Sequence, residues 1–263
     1  MSLHIVQNQQ QIVDSIYGFS QSYHADFFSV RCLARTYLAG PPSLATVNPL
    51  STALTDVLAR WGAGRRKAPT LLPIVRLQAT LMDGNLQTLL SGIAANSIAT
   101  MNLANGINRT IGGIHNAAIL TSFDANLLNA LNELSVGLFS NNTNVTYPMK
   151  ALLLITGVMP ALDSQVRKGL DKGGFVGTNK TQFLLPDSTT SADGMKVSRL
   201  PFYIAGCFAQ NSALISQTVA ASRHPALASE VGRIFDVIFF MQAEMPQHIL
   251  WLQPPNRDWY NLV

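Results

Sequence analysis

The chain has 263 residues, 48% of them hydrophobic and only 12% charged. Disordered chains are poor in apolar residues and rich in net charge, and coiled coils need many Glu and Lys residues, so both are excluded. Three Glu, a net charge of +4 and twice as many Arg as Lys describe a compact domain with a neutral, slightly basic surface.

The length allows one large domain with a core that needs no disulfide or metal. Cys32 and Cys207 sit far apart in apolar surroundings, which reads as two buried thiols in a reducing, cytoplasmic setting. The five His residues are scattered, with no metal-ligand spacing, so no metal or cofactor is expected. The longest apolar candidate, Ala205–Ala221, carries Gln210, Asn211, Ser212 and Gln217. It falls short of the roughly 20 apolar residues a spanning helix needs, so no membrane span is expected.

In chain order, the pattern predicts helices over Val6–Tyr17 and Ala25–Leu38, the second ended by Pro41-Pro42. Leu50, Leu54, Val57, Leu58 and Trp61 recur at helical spacing, with an Asp56/Arg60 pair and Gly62 as the stop. Leu71–Ile98 is apolar and broken at Asp83-Gly84-Asn85. Asn102–Ala118, rich in Gly and Asn, gives no clear pattern. Ser122–Phe139 predicts an amphipathic helix with Ser122 as N-cap, Asp124 in the first turn, and Phe123, Leu127, Leu131, Leu134 and Leu138 inward.

A short apolar helix follows over Lys150–Ile155, opened by Pro148 and ended near Gly157; another starts at Pro160 and runs to Leu170. Lys172–Pro201 reads as a long irregular loop with a small β hairpin around Gln182–Leu185, and long loops are often functional. Helices over Phe202–Ala221 and Pro225–Met241 precede an irregular tail, 242–263, packed down by Trp251, Trp259 and Tyr260. The expected fold is all-α, an orthogonal helical bundle in a single domain or two interleaved lobes.

Among the motifs, Gly173–Thr181 lacks the glycine spacing of a phosphate loop and reads as a lip that offers Lys172 and Lys180 to anions. Ile111-Gly-Gly-Ile-His115 loosely matches a helix-hairpin-helix turn, with an ordinary Gly-rich connection as the simpler reading. The densest basic run, Arg60–Lys67, suits a phosphate backbone or a solvated turn after a helix.

The most informative segment is Lys150-Ala-Leu-Leu-Leu-Ile-Thr-Gly-Val-Met-Pro-Ala-Leu-Asp163-Ser-Gln-Val-Arg167. It resembles the catalytic-aspartate region of the helix-hairpin-helix DNA glycosylase superfamily. There an apolar helix, a proline-bearing turn and an Asp-Thr-His-Val-x-Arg-like run put a carboxylate in the base pocket. It is also similar to bacterial relatives with a Ser-Lys-apolar helix before the Pro and Asp, and Arg233–Phe240 looks like their closing helix. The family's glycine hairpin should stand just before Lys150, where Ser140–Tyr147 holds no Gly.

The resemblance implies that Asp163 stabilises positive charge on the sugar and that Lys150 acts as a Schiff-base nucleophile, with no cofactor. Arg65, Arg66 and Lys67, joined by Arg167, would contact DNA. The plainer reading pairs Asp163 with Arg167 on a helix and leaves Lys150 exposed in a first turn. The alternative for the whole chain is a non-enzymatic helical module that binds a protein partner or forms a homo-oligomer through its neutral surface.

Overall fold

A computed structural model describes residues 1–5, 9–178 and 185–263, with the backbone alone at 9–11 and 13. Helices dominate: α1 (Gln9–Gly18), α2 (Gln21–Leu38), α3 (Leu44–Arg60), α4 (Ile74–Leu81), α5 (Gly84–Ala95), α6 (Ala117–Leu138), α7 (Thr146–Thr156), α8 (Ser164–Lys172), α9 (Ala192–Ala220) and α10 (Val231–Gln242). Among the described residues, the strands form short antiparallel pairs, with an isolated parallel bridge between Phe175 and Asn256. The pairs are β1 (Ser2–Ile5) with β6 (Leu250–Gln253), β2 (Thr70–Leu71) with β5 (Phe139–Ser140), and β3 (Met101–Ala104) with β4 (Asn108–Ile111). The chain is therefore mostly α, and no helix among the described residues is long and apolar enough to cross a membrane.

The amphipathic pattern locates α6 well, since Phe123, Leu127, Leu131, Leu134 and Leu138 are all buried. Its start is earlier than expected. Asn116, not Ser122, caps it, accepting from the Ala118 and Ile119 amides at 2.9 and 3.1 Å. Asp124 is then mid-helix, where its buried carboxylate receives Arg109 at 2.7 Å and Arg199 at 2.9 Å. Likewise Arg60 reaches across to Asp26 of α2 at 2.5 Å instead of closing a local pair with Asp56.

The expected long loop is shorter than Lys172–Pro201. α9 already begins at Ala192, with the Ser191 hydroxyl accepting from the Gly194 amide at 2.9 Å. It continues straight through Pro201. A proline removes one helical hydrogen bond, but Leu200, Phe202, Tyr203, Ile204 and Cys207 around it are buried, and packing of that face overrides the local penalty. The hairpin expected at Gln182–Leu185 falls, Leu185 apart, outside the described residues.

The unread stretch 102–118 holds the β3–β4 hairpin instead. Asn105 and Gly106 at its turn both adopt positive φ, 53° and 68°, the Asn-Gly choice that hairpins favour. The Ile111–His115 motif therefore follows a strand and is no helix-hairpin-helix turn. The tail is not wholly irregular, because β6 pairs with β1 and carries the C-terminus back to the N-terminus. Trp259 is buried beneath it. Both cysteines are free; Cys207 is buried as expected but Cys32 is exposed.

What positions the centre of the molecule is the approach of α10 to the α7–α8 connection. Gly157 ends α7 in the left-handed region at φ 71°. A Cβ at Gly232 would run into the Gly157 carbonyl, and one at Gly169 of α8 into the Phe239 carbonyl of α10. These glycines let backbone touch backbone, so the 158–163 turn is pressed directly against α10.

Gly169→Ala should therefore destabilise the fold by about 1–3 kcal/mol or more, the usual cost of overpacking. Gly84→Ala, where an added Cβ meets nothing within 4 Å, should change stability by less than about 0.5 kcal/mol. Urea unfolding of the two variants beside the parent checks both.

Candidate functional site

Lys150 lies in the first half of α7, on a helix whose residues from Tyr147 to Thr156 are all buried. It follows its neighbours inward and is only 9% exposed. Its ammonium donates to the Trp61 carbonyl at 2.9 Å and stands 4.8 Å from the centre of the Tyr147 ring. The Trp61 carbonyl belongs to the C-cap of α3, where the helix dipole favours a cation. Burial nevertheless dominates and lowers the Lys150 pKa, with Asp163 and Asp236 opposing the shift.

Asp163 is the N-cap of α8 and not a first-turn residue. Its Oδ1 accepts from the Gln165 and Val166 amides, both at 3.0 Å. The residue before it, Leu162, is a buried non-glycine at φ 47°, a conformation that costs energy and survives only where its surroundings enforce it. The enforcement comes from α10, since Asp236 Oδ1 accepts from the Ala161 amide at 2.7 Å.

Asp236 is itself held by Arg233, one helical turn earlier, at 2.5 Å, and both side chains are buried. Burial raises the Asp236 pKa, while Arg233 and the Ala161 amide pull it back down. The Arg233 guanidinium also donates to the Tyr23 carbonyl at 3.3 Å. It stands 4.9 Å from the Phe19 ring centre and 5.4 Å from those of Phe27 and Trp61. Such cation–π contacts are worth most where, as here, the cation is desolvated.

These groups line one cavity of about 70 Å³, bounded by Phe19, Tyr23, Trp61, Lys150, Ala161, Asp163, Arg233, Asp236 and Phe240. Its walls are a continuous aromatic set. Phe19 meets Phe240 edge-on at 5.2 Å and Tyr23 at 5.7 Å, and Tyr23 meets Trp61 at 5.6 Å. Trp61 is oriented by its indole N–H, which donates to Asp26 Oδ2 at 3.0 Å. Lys150 and Asp163, thirteen positions apart, thus face the same apolar-walled space.

Sequence reasoning did not nominate Phe19, Tyr23, Trp61 or Phe240 as pocket residues. A signal existed: Phe19, Tyr23 and Phe27 recur every four residues from just before α2 into its second turn. Arg233 and Asp236 belonged to the expected closing helix, but their role as the floor of the pocket depends on contacts remote in sequence.

Arg65, Arg66 and Lys67 are exposed and begin four residues after Trp61. Gly62, at φ 102°, turns the chain beside the Tyr147 hydroxyl; burial raises the Tyr147 pKa, Asp163 adds to the rise and Arg65 opposes it. None of the three basic residues lines the pocket, although Trp61 does. The other expected cations do not join it. Arg167 is half-buried and lines a separate cavity with Leu162, Leu170, Thr178 and Trp259. Lys172 donates to the Met245 carbonyl, and Lys180 lies outside the described residues. Among the described residues no group of three or more His, Cys, Asp or Glu side chains could hold a metal ion.

No protein-family model, curated protein or solved structure matches the chain.

Removing one partner of the floor pair should be costly, because it strands the other charge in the interior. Arg233→Met is expected to cost about 3–5 kcal/mol in urea unfolding. The double replacement Arg233→Met with Asp236→Leu should recover a large part of that loss, and a cost equal to the sum of the two single changes would show that the charges are not coupled.

Proposed function

We propose that this protein acts on DNA as a lyase or glycosylase of the helix-hairpin-helix kind, with Lys150 as nucleophile and Asp163 as the electrostatic partner. The observation that carries this reading is the convergence of a desolvated lysine and a helix-capping aspartate on one aromatic-walled cavity, with an exposed basic run beginning four residues after its Trp61 wall. A neutral Lys150 amine can keep donating an N–H to the Trp61 carbonyl while its lone pair remains free to attack. The lowered pKa makes that neutral form more accessible than in an ordinary lysine.

The chemistry follows from those groups. The Lys150 amine attacks the sugar C1′, the bond from C1′ to the base breaks, and its electron pair leaves with the base, which takes up a proton. The carboxylate of Asp163 stabilises positive charge on the sugar as that bond stretches. At a site that has already lost its base, the same amine adds to the aldehyde carbon and water leaves, giving an imine. Loss of a C2′ proton then breaks the C3′–O bond and nicks the strand. Aromatic walls suit an extruded base, which such enzymes stack between rings.

A self-associating module would leave the buried Lys150 and its cavity without a role.

The test uses a duplex with a single abasic site, so no damaged base has to be guessed. Strand nicking is expected, with Lys150→Ala slowing it at least about 100-fold and Asp163→Asn about 100- to 1,000-fold. The rate should rise with pH and level off below the range of an ordinary lysine, because the neutral amine is the reactive form. Changing Arg65, Arg66 and Lys67 to Gln should weaken binding and lower the slope of log affinity against log salt by about 3. Nicking that is unchanged in Lys150→Ala would remove the reading.

A further inference from the structure

The pocket as it stands is too small for its proposed occupant. Its volume is about 70 Å³, whereas a buried cavity of about 150 Å³ is what holds a single benzene ring. A nucleobase is at least that large, so one wall has to move. The floor is pinned by the buried Arg233–Asp236 pair and Lys150 by the Trp61 carbonyl. The wall that reaches solvent is the one built by Phe19, just before α2, and Tyr23 in the first turn of α2: the Ser20 cap leaves the first α2 amides without a side-chain cap, and Tyr23 is 38% exposed.

This wall is held from behind by His24. The ring is fully buried, and among the described residues neither of its nitrogens has a hydrogen-bond partner. It packs edge-on against Phe19 at 5.3 Å and lies 4.5 Å from His224, which in turn stacks on Phe28 at 6.5 Å. His224 is steadied by Gln21 of the same first turn. A neutral imidazole fits this slot as an apolar plug. A charged one does not: Arg233 of α10 and His224 both oppose a positive charge there, and Arg223 does the same at His224. Only the Ile16 carbonyl of α1 favours one.

We propose that the Phe19–His24 segment is a gate over the pocket, latched by His24 seated between Phe19 and His224 and released when that ring takes up a proton. Protonation puts a second cation beside Arg233 with the Ile16 carbonyl facing it, and the ring gains further hydrogen bonds by turning out to water. Because His24 packs on the Phe19 ring and follows Tyr23 in the first turn of α2, its exit carries both aromatic walls outward. What the gate admits, a nucleobase, rests on the function proposed above; the gate itself does not.

The experiment follows the ring protons of His24 and the indole N–H of Trp61 by NMR from pH 7 to pH 4, on the free protein. The Trp61 signal is identified through Trp61→Phe. The wall signal should move in step with His24, at a midpoint well below that of an exposed histidine. His24→Phe and His24→Gln, neither of which can titrate at this position, should each abolish that step. The proposal is overturned if the step persists in a folded variant of either kind, or if His24 titrates while Trp61 and Tyr23 stay unmoved. The measurement needs no DNA, so a failure to nick abasic DNA and a failure of the gate are told apart.

Discussion

The buried pair of Arg233 and Asp236 is the contact on which the rest of the site depends. Each member would be prohibitively unstable alone in the interior, so each fixes the other's rotamer. Together they then use their remaining hydrogen-bonding capacity on two different parts of the chain. Asp236 holds the Ala161 amide and thereby the strained Leu162 turn that presents Asp163. Arg233 holds the Tyr23 carbonyl and lies against Phe19, Phe27 and Trp61, gathering α2 and α3 around the same point. The close backbone contacts at Gly169 and Gly232 make this reach possible, because a longer separation would put Asp236 out of range of the turn.

The low charge content has a structural explanation of the same kind. Several of the few carboxylates are consumed inside the protein by arginine. Asp236 takes Arg233, Asp124 takes Arg109 and Arg199, and Glu230 takes Arg31 and Arg35. Arginine suits this work better than lysine, since its planar guanidinium serves several acceptors and stays charged when buried. That accounts for the excess of Arg over Lys. It also leaves Arg65, Arg66 and Lys67 as a run of three consecutive exposed cations that begins four residues after Trp61.

How legible this was in the sequence depends on the distance over which each feature is encoded. Lys150 and Asp163 could be singled out because an apolar helix, a Pro-bearing turn and the start of a second helix are local patterns, and the structure brings both to one cavity. The apolar stripe of α6 was equally local. Asp124 was misread for the same reason: a rule about helix starts says nothing about two arginines arriving from β4 and α9. The strand pair β1–β6 joins opposite ends of the chain and leaves no short-range trace, whereas the Asn105-Gly106 turn did leave one. The aromatic walls come from the α1–α2 connection, α2, α10 and the C-cap of α3, and only the fold assembles them.

The most direct measurement is chemical trapping. The protein is incubated with a duplex carrying one abasic site and reduced with borohydride, and the cross-linked peptide is mapped by mass spectrometry. A desolvated Lys150 facing Asp163 predicts a sugar adduct on the peptide that contains Lys150. No adduct, or one spread over exposed lysines such as Lys67 and Lys168, would contradict the account.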